Sequence, residues 1–291
     1  MDKSVPVDYA SVEPWELYSE NLKTDYMQSV EEGKDVAAYK ALVDDICALP
    51  RGETREALAD AVYEAMKNAA DVPGYPYEEP SDLEGIRRAR PSRRIVLPEP
   101  EKAELRDKIA GAWLGRICGC LLGKPVEGWH SSKIKEHLLK TDAYPLSGYM
   151  KKSGANGGSG WVCGLNGCAP VDDDTNYTVM AALEIVGRHG RNFTPGDVAD
   201  VWLSCQPKTA YCTAERVAFK NFLLGIRPPK SAEYKNPFRE WIGAQIRGDY
   251  FGYINPGDTE AAAEMAWRDA SISHVKNGIY GEMFLYAMLA A

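Results

Sequence analysis

Apolar residues recur at three- and four-residue intervals along most of the chain, and strict alternation is nearly absent. The pattern predicts helices and no sheet. Residues 14–30 place Trp15, Leu17, Tyr18, Leu22, Tyr26 and Val30 at helical spacing. A second helix is expected over 34–49, broken by Pro50-Arg51-Gly52, and a third from Glu53 with Leu58, Val62, Tyr63 and Met66. Between 71 and 100, Pro73, Pro76, Pro80, Pro91, Pro98 and Pro100 interrupt any long element, so this stretch reads as a linker. Its basic run, 87–94, reads as a solvated connector. Further helices are expected over 101–122, 176–189, Pro195–Cys205, 212–224, 237–247, 260–270 and 278–291. Thr194-Pro195 and Asn236-Pro237 each pair a capping residue with proline at the first helical position. The chain therefore divides into a helical extension (1–70), a Pro/Arg-rich linker (71–100) and an all-α domain (101–291). The last helix is apolar nearly all round, which suits a core position and leaves a face exposed if nothing covers it.

Composition narrows the function. The 291 residues carry 34 Lys and Arg against 42 Asp and Glu, a formal charge of −8. An acidic chain lacks the clustered cations that a nucleic-acid partner requires, and an anionic membrane surface is disfavoured for the same reason. No uncharged apolar run reaches the roughly 18 residues of a membrane span; the closest, 109–123, contains Arg116. The acidic start has no secretory pattern. The seven cysteines form no CxxC pair, and they read as reduced core residues of a cytoplasmic protein.

Three stretches carry candidate chemistry. Gly111, Gly115, Gly119 and Gly123 form one stripe at helical pitch. Each glycine costs a helix up to about 1 kcal/mol relative to alanine, so close packing against another helix is the expected compensation. The ladder ends in Lys124-Pro125-Val126-Glu127, which leaves Glu127 at a helix end. The second stretch is Asp172-Asp173-Asp174-Thr175, between a Gly-rich loop and an apolar helix. Capping accounts for one carboxylate. Three adjacent ones repel, and a hard divalent cation would remove that cost. The third is Ser273-His274-Val275-Lys276-Asn277-Gly278, a polar corner at a helix–helix turn, with Gly278 available for an unusual backbone angle.

In this order the three patterns resemble the ADP-ribosylglycohydrolase family, over about 101–291. The resemblance implies an all-α multi-helix bundle, preceded here by the small helical extension. It also implies a magnesium-dependent hydrolase that cleaves the glycosidic bond between ADP-ribose and an acceptor, with two Mg2+ ions expected in the complete protein. Asp173 and Asp174 match the family's metal aspartates and Thr175 its closing threonine. Asp172 stands where the family has threonine, adding charge to the metal set. Glu127 matches the glutamate after the ladder helix, and Asp249 is a further candidate catalytic carboxylate. His274 matches a residue around the ribose, with Asn277 and Gly278 beside it. The partner would be an ADP-ribosylated protein or a small ADP-ribose conjugate. A second Asp-x-Asp-Thr motif is expected after the histidine segment, and none follows it, so the chain is expected to be the N-terminal part of a longer protein. The alternative is a non-enzymatic, crystallin-like structural or ligand-binding protein of the same fold.

Overall fold

A computed structural model describes residues 7–91, 101–150 and 171–291. Among them there is no strand; one isolated bridge joins Lys34 and Asp71. No helix there is long and apolar enough to cross a membrane. The fold is all-α, as the periodicity requires.

The chain divides into two units by packing. The first combines the N-terminal segment through residue 93 with Phe193–Gln245 and Glu264–Met283. Helices Tyr18–Glu31, Lys40–Ala48 and Glu53–Lys67 pack on one another. They bury Leu22, Tyr26, Val43, Ile46, Val62, Tyr63 and Met66, with Tyr234 against the same core. Three of the expected apolar positions, Trp15, Val30 and Leu58, are exposed. Arg239 reaches the N-terminal helices directly, donating to Glu32 at 2.5 Å and Asp25 at 2.6 Å. The N-terminal residues and much of the later chain thus form one packed body. The linker stretch contains a helix, Leu83–Ala89, whose Asp82 cap accepts from Gly85 at 2.7 Å. Arg87, from the basic run, pairs with Glu264 at 2.8 Å. The remainder of that run, from residue 92, lies outside the described residues.

The same unit holds Pro195–Cys205, opened by a complete Thr194/Asp197 capping box, and Thr213–Leu223. Trp202, Tyr211 and Phe219 stack between them. The helix expected over 237–247 does not form. Turns run through 237–241 and a 3-10 segment covers Ile242–Ile246. Asn236 is fully buried, and its amide donates to Ser273 O at 2.9 Å. Its Oδ1 accepts from Phe238 N at 3.2 Å, which makes a local turn rather than a cap over a continuing helix.

The second unit is residues 94–192, Ile246–Ala263 and Phe284–Ala291. It contains Lys102–Gly123, Ser131–Lys140, Asp173–Met180 with its π-helical continuation Ala181–Val186, and Asp249–Tyr253. Gly252 lies against the last helix, Lys276–Ala290: a Cβ there would stand 2.7 Å from Leu289 Cβ. Phe284 and Met288 are exposed on that helix. The glycine ladder departs from expectation. A Cβ at Gly111, Gly115, Gly119 or Gly123 would meet nothing within 4 Å, so no described residue packs closely on the stripe. The cysteines depart as well. Cys118, Cys205 and Cys212 are exposed, and only Cys120 is buried among those described; Cys163 and Cys168 lie outside the described residues.

Candidate active site

Helix Asp173–Met180 begins at Asp172, whose side chain accepts the N–H of Asp173 at 2.9 Å. Asp172 is thus the cap that the helix start needs. Asp173 and Asp174 then occupy the first turn, and Asp173 Oδ1 accepts from Asp174 N at 3.1 Å. Thr175 Oγ1 donates to Asp172 O at 3.1 Å. The end of the ladder helix approaches this acidic start. Cys120 donates its thiol to Asp172 Oδ2 at 3.4 Å, and Lys124 Nζ donates to Asp172 Oδ1 at 3.3 Å. Arg116 lies 4.0 Å from Asp174.

Among the described residues, Cys120, Asp172 and Asp174 bring one ligand atom each within 4.8 Å of one another. Asp173, expected as a metal aspartate, is not in this converging group. The sequence did not point to Cys120, which belongs to the last turn of the ladder helix, or to Lys124 and Arg116.

The electrostatics follow from crowding. Burial works to raise the Asp172 carboxyl, but hydrogen bonding with Asp173 and the charge of Lys124 outweigh it and hold it below the usual range. Burial first, then Asp172, push Asp173 up to about 7. Burial and Asp172 also raise Asp174. Burial and Asp172 push the Cys120 thiol up to about 12, so it stays protonated at neutral pH.

This donor set fits a hard divalent cation. Two carboxylates converge, Asp174 being raised by burial and by Asp172, and oxygen donors suit magnesium or calcium. The Cys120 thiol is the softer third member of the same group. The hydroxyl of Thr178, one turn beyond Asp174, is buried with no hydrogen-bond partner among the described residues, as a position beside a missing polar ligand would be.

Glu127 follows the turn Lys124–Val126 and is 70% exposed at its side chain. It is held by Lys124, 2.9 Å from Oε2. Asp249 is placed differently from a proton-transfer group. It is buried, and both its oxygens are taken: Arg116 Nε donates to Oδ2 at 2.8 Å, a second Arg116 nitrogen donates to Oδ1, and Tyr253 donates to Oδ2 at 3.1 Å. Such a carboxylate fixes Arg116. Burial alone would depress the guanidinium, and Asp249 outweighs it and keeps Arg116 charged.

His274, Asn277 and Gly278 gather in the other unit. His274 is buried, with Nδ1 2.9 Å from Ser273 Oγ and Nε2 3.9 Å from Glu215. The Asn277 amide donates to Glu240 at 2.7 Å and Glu79 at 3.0 Å. The unusual backbone angle falls on Lys276, with φ 42°, and not on Gly278. Gly278 is required for closeness instead: a Cβ there would lie 2.8 Å from His274 Cδ2 and 3.0 Å from Arg239 O.

A family model described as ADP-ribosylglycohydrolase matches residues 101–291. The match begins at the ladder helix and takes in the aspartate cluster, Glu127, Asp249 and the histidine turn. Comparison with curated proteins and with solved structures gives no match. With the all-α fold and the ordered motifs, the family match over more than half its length means that the chain belongs to the ADP-ribosylglycohydrolase family.

Proposed function

We propose that this chain carries the centre of a magnesium-dependent hydrolase that cleaves the bond between ribose C1 of ADP-ribose and an acceptor, on a modified protein or a small conjugate. The observation that carries this reading is the convergence of Asp172 and Asp174 beside a turn that presents Glu127. Asp172 and Asp174 would hold the cation, with Asp173 adding charge at the helix start. When bound, magnesium supplies positive charge for the ribose hydroxyls and orients C1.

In the reaction, the bond from C1 to the acceptor breaks, water oxygen bonds to C1, and a proton of water ends on the acceptor. Glu127 is the group we assign to that proton. Its exposure leaves it accessible to a substrate, and Lys124 fixes its position. Asp249 serves as a positioning residue that holds Arg116 near Asp174. His274, Asn277 and Gly278 are assigned to the sugar side, as the resemblance implies, although the hydrogen bonds of the Asn277 amide to Glu79 and Glu240 restrict that residue. Glu32 of the extension and Glu79 and Ser81 of the linker contact Lys276 and Asn277, and so support the histidine turn rather than the chemistry.

The test is release of ADP-ribose from arginine-linked, serine-linked and acetyl-ester conjugates in magnesium. Glu127→Gln should lower kcat strongly while stability stays within about 0.5 kcal/mol of wild type, as for other surface changes. Undiminished kcat in the variant would remove Glu127 from the chemistry. No release by the wild type from any of the three would favour the non-enzymatic reading.

A further inference from the structure

Lys124 makes two contacts at once. Its ammonium lies 3.3 Å from Asp172 Oδ1 and 2.9 Å from Glu127 Oε2. One cation therefore joins a proposed metal ligand to the carboxylate proposed for proton transfer. The second cation beside the cluster is built otherwise. Arg116 is clamped through two of its own N–H donors, one accepted by each oxygen of Asp249, and Tyr253 braces that carboxylate. A planar guanidinium held in this way has no freedom to leave. A lysine ammonium is a compact, well-hydrated charge on a flexible stem, and the Lys124 side chain is 29% exposed. Water is at hand to receive it.

We infer that Lys124 is an exchangeable internal counter-cation, which neutralises Asp172 in the cation-free protein and yields that carboxylate when a divalent cation enters, leaving its ammonium to Glu127 alone. The inference rests on the reading of Asp172 and Asp174 as cation ligands. Lys124 holds Asp172 Oδ1 and Cys120 holds Oδ2, so a dication on this carboxylate and the ammonium stand within one group of each other and repel, the more so near a partly buried site. Cation binding and the Lys124–Asp172 contact then oppose each other, and each weakens the other to the same degree. Arg116 is the fixed counter-charge that remains. Lys124 is thus a positioning residue for Glu127, and the positioning depends on whether the cation is present.

Calorimetric titration of the whole chain with Mn2+ tests this without reference to turnover. Lys124→Met removes the competitor and should tighten Mn2+ by about tenfold or more, the scale of one unit charge at contact distance near a protein surface. Lys124→Gln is a second neutral variant and should do the same. Lys124→Arg keeps the charge and should not tighten binding. Glu127→Gln frees Lys124 to sit on Asp172 and should weaken Mn2+ in the wild-type background, with no effect when combined with Lys124→Met. Unchanged or weaker affinity in both neutral variants, with wild-type binding intact, overturns the inference and leaves the cation site standing. Absence of Mn2+ binding in wild type and both neutral variants overturns both. Weak binding in wild type with tight binding in the neutral variants supports both.

Discussion

Replacing Asp173 by asparagine should stabilise the cation-free protein at alkaline pH, against the usual direction of core-proximal mutations. Asp173 is the first helical residue after the cap, flanked by Asp172 and Asp174, and its carboxyl is pushed from 3.8 up to about 7 by burial and by Asp172. A three-unit rise taken at face value is worth about 4 kcal/mol. The group is partly exposed and shares protons with its neighbours, so water screening reduces this to on the order of 1–2 kcal/mol. Loss of a favourable charge at a helix N-terminus returns about 0.3–1 kcal/mol. The net gain is about 1 kcal/mol, or roughly 2–4 °C in thermal midpoint for a chain of this size.

The sign with pH follows from the raised value. The folded state holds this proton more tightly than the unfolded state, so the contribution to stability is full below about pH 4 and is lost as pH rises through about 7. Melts in EDTA at pH 8 and pH 4 should therefore show the variant ahead at pH 8 and level with wild type at pH 4. Added magnesium should narrow the gap at pH 8, because a cation offsets the same repulsion. A variant less stable than wild type at pH 8 in EDTA would show that the three carboxylates do not strain one another.

Two further outcomes are expected. Gly115→Ala should stabilise the ladder helix by up to about 1 kcal/mol, since a Cβ there meets nothing within 4 Å; destabilisation in a denaturant titration would reveal a packing partner for the stripe. Arg239→Met should cost about 3–5 kcal/mol, because it removes the ion-pair partner of buried Asp25 and leaves buried Glu32 with Lys276 at 3.5 Å, and a loss under 1 kcal/mol would mean that the extension is not held through this residue.

Long helices were legible because their apolar spacing and their start signals agreed, as at Thr194-Pro195. The same signal failed at Asn236-Pro237, where a carbonyl from Ser273, 37 residues away, captured the amide. Ser131–Lys140 was not anticipated because Ile134, Leu138 and Leu139 are a thin apolar signal in a basic segment. At the site, the three aspartates were visible as a run, and so was Glu127 after its proline. Their surroundings were not. Cys120 and Lys124 meet Asp172 across about fifty residues of sequence, and Arg116 meets Asp249 across 133. No local pattern encodes such pairings. Likewise nothing near Gly278 in the sequence distinguishes a left-handed turn from a close approach; the carbonyl of Arg239 decides it.

Calorimetric titration with Mg2+ of the wild type and of an Asp172→Asn, Asp174→Asn double variant reads the cation site most directly. Saturable binding by the wild type that is lost in the double variant is the expected result, with both proteins folded by thermal melt. Equal affinity in the two proteins would contradict a metal centre at the start of helix Asp173–Met180 and would reduce the aspartate run to a helix cap.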